Sequence, residues 1–223
     1  MQSTSIAPSR REREIQYKRG EILSAAQKVF AEKGYSQATL EEIAQEAEFG
    51  KGTLYNYFPE GKQEILLAIF ERLYDQLCDL IESTFDSQKN APFKQQLHSF
   101  FEQTFSFFFE KLNLFVILIR EAHRIGASDD PRSRDFFTQQ RNRSLDALSK
   151  PVQRAIDNGE ITCSSSTFLA HLILVNVKGC QMNACKLWSE PKSQVPQTPL
   201  EMADFLTQLI YHGVATSNAT ASK

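Results

Sequence analysis

Long apolar runs are missing from this sequence. The longest, Leu112 to Ile119, is interrupted by Asn113 and stopped by Arg120 and Glu121. That falls well short of the roughly 20 residues a membrane-spanning helix needs. The opening MQSTSIAPSRRERE has no apolar segment and does not read as a secretory signal. Cysteine is sparse: Cys78, Cys163, Cys180 and Cys185 include no Cys-x-x-Cys pair, and no histidine stands at zinc-ligand spacing from them. They are expected to be reduced, mostly buried thiols of a cytoplasmic protein. His98, His123, His171 and His212 are scattered without a metal spacing on any helix face, so no metal site is expected. A surplus of positive charge is also absent. The formal net charge is −2 over 223 residues, so any nucleic acid must be met by a local patch rather than by the field of the whole molecule. The chain carries no Ser-His-Asp pattern, no HExxH and no phosphate loop, which leaves no catalytic residue and no cofactor to propose.

What is present is helical periodicity almost everywhere, with no strand pattern. Ile22, Ala26, Val29 and Phe30 form one apolar face, and Gly34 ends that helix. Thr39-Leu-Glu-Glu42 is a capping box opening a second helix, with Leu40, Ile43, Ala44 and Ala47 on its buried side. A break at Glu48 to Gly50 precedes a third helix, Lys51 to about Tyr57, and Pro59 to Gly61 interrupts again. A long helix follows from about Lys62 to Phe85, then a loop at 87–92. Phe93 to about Leu112 has an unusual density of phenylalanine, and Leu114 to about Ile125 follows it. Asp130-Pro131 reads as an N-cap with proline in the first turn, opening a helix that runs to Asn158-Gly159. Ser164 to Ser166 caps a helix ending near Trp188, and 189–197 is a loop. Thr198-Pro-Leu-Glu201 is a second capping box, opening a last helix to about His212. The fold class is therefore all-α with about nine helices.

Two short helices joined by a tight turn match a helix-turn-helix, whose second helix enters the DNA major groove. Within FGKGTLYNYF (49–58), Gly50 stands at the turn, where glycine is tolerated. Gly52 sits in the first helical turn, where a missing side chain lets a phosphate or base edge approach. Lys51, Thr53, Tyr55, Asn56 and Tyr57 add a cation, hydroxyls and an amide. Packing explains the same pattern, because a glycine turn between two helices is common and Tyr55, Tyr57 and Phe58 could be core residues. The neighbouring Glu41, Glu42, Glu46 and Glu48 weigh against DNA, since non-specific affinity depends on neutralising phosphates.

The stretch ILSAAQKVFAEKGY (22–35), ATLEEIAQEA (38–47), KGTLYNYF (51–58) and KQEILLAIF (62–70) resembles the DNA-binding region of the TetR family of repressors. Agreement runs across four consecutive helices. Beyond residue 70 only helix count and length match. The resemblance implies an N-terminal three-helix DNA-binding domain with a helix-turn-helix, followed by a C-terminal helical ligand-binding and dimerisation domain. It divides the chain into a flexible basic arm (1–17), the DNA-binding domain (18–61), an effector and dimer domain (62–213) and a disordered tail (214–223). It implies that Thr39 meets phosphate, that Lys51, Gly52 and Thr53 lie at the groove, and that Thr53 and Asn56 read bases. Tyr55 and Tyr57 would reach phosphate, and Lys62 would clamp the backbone. This chain has Glu48 where the family often has glycine, and Gly50 where it has serine or threonine, which predicts the turn's flexible residue two positions later. It also has one residue more than usual between Phe58 and Lys62.

The same resemblance implies a homodimer on a palindromic operator, with candidate seam residues Leu172, Val175, Cys180, Leu206, Leu209 and Ile210. Ordinary intrachain packing of those residues is the alternative. The phenylalanine-dense helix suggests a pocket for a small apolar or aromatic effector. Phe101, Phe105, Phe108 and Phe115 would be its walls, and His123, Arg141 and Asn176 its polar handles. A solid aromatic core is the alternative there. Effector binding would tilt the helix Lys62 to Phe85 and release a repressor from DNA. The rival readings are an all-α carrier or enzyme without a DNA role, and a helical scaffold that has lost DNA binding.

Overall fold

The computed structural model describes residues 9–126, 130–185, 196 and 198–214. Among them it has nine helices and no strand: α1 (Arg10–Lys33), α2 (Leu40–Glu46), α3 (Lys51–Tyr57), α4 (Lys62–Ser87), α5 (Phe93–Glu110), α6 (Leu112–Gly126), α7 (Pro131–Asp157), α8 (Ser166–Ala184) and α9 (Pro199–Val214). No helix is long and apolar enough to cross a membrane among the described residues. The chain divides into two compact units, Met1–Arg72 and Leu73–Lys223.

The division falls inside α4, eleven residues later than the sequence suggests, for a packing reason. Ile65, Leu66 and Ile69 of α4 are fully buried, so its first turns belong to the core of the first unit. Ile22, Ala26 and Phe30 of α1, Ile43 of α2 and Leu54 of α3 supply the rest of that core. The expectation of a flexible arm over 1–17 is corrected from Ser9 onward. Ser9 accepts from the Glu12 amide while Glu12 reaches back to the Ser9 amide, a capping box that starts α1 at Arg10. Residues 1–8 of that arm, the 189–197 loop apart from residue 196, the expected helix end at Trp188 and tail residues 215–223 lie outside the described residues.

The second unit is built on rings. Phe85 lies 6.1 Å from Phe93 and 5.9 Å from Phe100, and Phe100 continues to Phe101 and Phe105. Leu148 and Val152 of α7, Ile173 and Val177 of α8, and Met202, Ala203 and Leu206 of α9 close around them. α5 packs along α9, and α7 along α8. The capping signals are realised as written. Asp130 accepts from the amides of Arg132 and Ser133, and Thr198 and Glu201 exchange bonds. The Ser133 hydroxyl and those amides hold the Asp130 carboxyl below its ordinary pKa.

Gly61 ends the break between α3 and α4 with φ of 73°, and a Cβ added there would sit 3.3 Å from Leu40 Cδ1. Gly61→Ala should therefore destabilise the first unit by about 1–2 kcal/mol, the cost of left-handed backbone in a residue with a side chain. Urea unfolding followed by circular dichroism measures it.

Candidate nucleic-acid interface

α2 and α3 form the expected helix-turn-helix. Thr39 caps α2: its hydroxyl accepts from the Glu42 amide at 3.2 Å, and its own amide donates to Glu42 at 3.0 Å. The hydroxyl hydrogen has no acceptor among the described residues, which leaves an exposed donor at the start of α2. The turn departs from the sequence expectation. Glu48, not Gly50, takes the left-handed conformation, with φ of 57°. Gly50 is the extended N-cap of α3 at φ −68°, ψ 148°, and offers no side-chain cap bond. The backbone locks this geometry through Phe49 N–H to Ala44 O at 2.9 Å.

α3 buries Leu54, and Phe58 follows it into the core. Its opposite face is open. Lys51, Gly52, Tyr55 and Asn56 are exposed, and Thr53 and Tyr57 are half-buried. A Cβ added at Gly52 meets nothing within 4 Å. Arg19 fixes the far end of α3: its guanidinium lies 4.4 Å from the centre of the Phe58 ring, and Nη1 donates to Tyr57 O at 3.3 Å.

The acidic residues beside the motif are largely matched by cations. Glu41 pairs with Lys51, Glu42 with Lys33 at 2.7 Å, and Glu46 with Lys28 at 2.6 Å. Hydrogen bonding to the partner ammonium holds the Glu41 and Glu42 carboxyls below their ordinary pKa, and the same pairing raises Lys51 and Lys28. These are exposed pairs in high dielectric, so Lys51 can exchange Glu41 for a phosphate at little cost.

Lys62 does not fit the role expected of it. Its ammonium donates to Tyr35 O at 2.7 Å, Ala38 O at 2.8 Å and Ser36 O at 3.2 Å, and lies 4.7 Å from the Tyr35 ring centre. All three of its protons are occupied within the unit, which leaves none for a DNA backbone.

The expected effector residues scatter. Phe101 and Phe105 are fully buried in the ring-lined core. Phe108 is buried too, and its ring centre lies 5.1 Å from that of the half-buried Phe115. His123 and Arg141 are exposed, so the aromatic cluster does not enclose them. Asn176 uses its amide on Leu172 O at 2.8 Å, four residues back on its own helix. Sequence reasoning missed a polar stripe inside α7. Ser133, Gln140 and Ser144 are all buried, and spacings of seven and four put them on one helix face. The signal was legible as polar residues holding the register of an apolar stripe.

The seam residues separate by exposure. Leu172 is 38% exposed, Val175 49% and Leu209 51%. Leu206 and Ile210 are instead buried in the intrachain core, and Cys180 is half-buried against it. Leu206 and Ile210 point inward because Phe205 and Leu209 hold the outer face of α9, just as Phe168, Leu172 and Val175 hold that of α8.

Residues 22–69 match the family model described as bacterial regulatory proteins, tetR family. The chain is similar to the fatty acid metabolism regulator protein of Bacillus subtilis, 32% identical over 97 residues that span 44% of this chain and 48% of that protein. It covers less than half the length of the curated relatives it first matches. Among solved structures it resembles a TetR-family regulator from Mesorhizobium loti (23% identity, TM-score 0.71, covering 94% of this chain and 100% of that one). It also resembles FadR from Bacillus subtilis in complex with stearoyl-CoA (22% identity, TM-score 0.69, covering 87% and 98%). At that identity the likeness is one of fold.

Two outcomes follow for the first unit. Glu48→Gly should raise its stability by about 0.5 kcal/mol, the left-handed strain relieved less the added freedom of the unfolded chain. Lys62→Met should lower it by about 2 kcal/mol, the scale of hydrogen bonds to a charged group, while the salt dependence of DNA binding stays unchanged. Thermal denaturation and fluorescence anisotropy read the two effects.

Proposed function

We propose that the chain, whose residues 22–69 carry the signature of the tetR family of bacterial regulatory proteins, is a transcriptional regulator that binds duplex DNA through α3. The observation that carries this reading is Gly52. Glycine inside a helix costs about 1 kcal/mol against alanine, and nothing in the fold occupies the space of a side chain there. The gap serves a surface outside the protein. With Gly52 against the DNA, Lys51 and Thr39 are suited to phosphates, Thr53 and Asn56 to base edges, and the tyrosine hydroxyls of Tyr55 and Tyr57 to the backbone. The family assignment favours this role over an all-α carrier or enzyme, and such a regulator works in the cytoplasm beside the genome.

The regulator acts as a homodimer on a palindromic operator. Two recognition helices must be held about one helical turn of DNA apart, roughly 34–36 Å. The exposed stripe Phe168, Leu172 and Val175 on α8, with Phe205 and Leu209 on α9, supports a self-complementary apolar interface. Cys180, half-buried against the intrachain core, stands apart from that stripe.

Its effector is a small molecule with a substantial apolar part, and its output is repression. The aromatic content of α5 and α6 supports a ligand with an apolar part, with Phe108 and Phe115 as walls. A long-chain acyl-CoA is the first compound to test, since FadR of Bacillus subtilis was solved with stearoyl-CoA. Such a ligand acts only through different affinities for the DNA-bound and released states, and α4, unbroken from Lys62 to Ser87, is the element through which it would act.

Gly52→Ala should raise the melting temperature while weakening binding to DNA from upstream of the gene at least tenfold. A stabilised protein with undiminished affinity would remove the argument. Leu172→Glu with Leu209→Glu should give a monomer in analytical ultracentrifugation.

A further inference from the structure

The first two turns of α1 fold without packing on anything. Every residue from Ser9 to Tyr17 is exposed, including Ile15 and Tyr17, which a helix lying on its own protein would bury. The buried face begins only at Ile22. The segment is nonetheless encoded as a helix, because the Ser9–Glu12 capping box fixes its start.

Its charges are also sorted. Glu12 is turned back onto the Ser9 amide at 2.7 Å, and Glu14 is paired with Lys18 at 2.8 Å. Arg10, Arg11 and Arg13 have no acidic partner among the described residues. The segment leaves the unit beside the C-terminal end of α3, because Arg19 seats on Phe58 and donates to Tyr57 O. From Arg19 to Arg10 the helix advances about 13 Å at 1.5 Å per residue. Nucleotides of one DNA strand are spaced about 3.4 Å along the axis, so this length reaches about four of them.

We propose that the N-terminal extension of α1 is a second contact to the DNA backbone, with Arg10, Arg11 and Arg13 gripping phosphates that flank the stretch covered by α3. The proposal rests on the DNA-binding reading above and widens its footprint. Free guanidiniums on an exposed helix match phosphate, and arginine forms the paired hydrogen bonds that phosphate accepts. Because these contacts are to backbone, they add affinity and register rather than sequence choice.

The test uses the full-length protein and a fluorescein-labelled duplex of random sequence, about 30 base pairs, titrated from about 50 to 200 mM NaCl. Each phosphate contact contributes about 0.9 to the slope of log K against log salt. The triple substitution Arg10→Ala, Arg11→Ala, Arg13→Ala should flatten that slope by up to about 2.7 per bound protomer. Alanine suits the exposed helix, so the melting temperature should hold. Glu14→Gln should strengthen binding, by removing a negative charge and freeing Lys18. A triple variant with the slope and affinity of the parent overturns this proposal alone. A parent protein that binds no duplex under these conditions overturns both this proposal and the DNA-binding reading.

Discussion

A seven-residue helix does not hold itself in water, because nucleation costs more than so short a run of hydrogen bonds returns. α3 exists because Leu54 and Phe58 are buried and Arg19 lies over the Phe58 ring. Those anchors sit on one side and at the C-terminal end of the helix. Its N-terminal turn and opposite face are thereby left open, and the open face carries Lys51, Gly52, Tyr55 and Asn56. Whatever α3 does outside the protein depends on how firmly that small attachment sets its direction.

Electrostatics then decides what the open face can meet. A count of glutamates near the motif suggests an acidic surface hostile to DNA. The structure shows Glu41, Glu42 and Glu46 each matched to a lysine, so the local field is far weaker than the count implies. Glu48 is different, since no ion pair involves it among the described residues and it also carries the strained backbone of the turn. Two properties that a glycine would remove coincide at one residue. Gly50 meanwhile stands where a serine would cap α3.

The helical architecture was legible because capping boxes and glycine stops are local. Thr39, Asp130 and Thr198 each act within three residues of themselves, and each acts as its sequence suggests. The motif around α3 was legible for the same reason. Tertiary choices were not. A register of leucines and isoleucines along α9 does not say that Leu206 and Ile210 face inward while Phe205 and Leu209 face out, because both pairs keep helical spacing. The role of Lys62 was equally hidden, since its acceptors lie 24 to 27 residues earlier in the chain. Exposure likewise disqualified His123 and Arg141 as groups enclosed with Phe108, and no local pattern records exposure of that kind.

Lys62 stands at the first position of α4, and its ammonium is moored to peptide oxygens from Tyr35, Ser36 and Ala38. A helix so tethered cannot turn about its own axis without either breaking the mooring or towing the segment that carries it. That segment leads directly into the threonine cap of α2. Torque on α4 would therefore reach the helix pair ahead of it by two routes, the buried side chains Ile65, Leu66 and Ile69 and this one flexible tether.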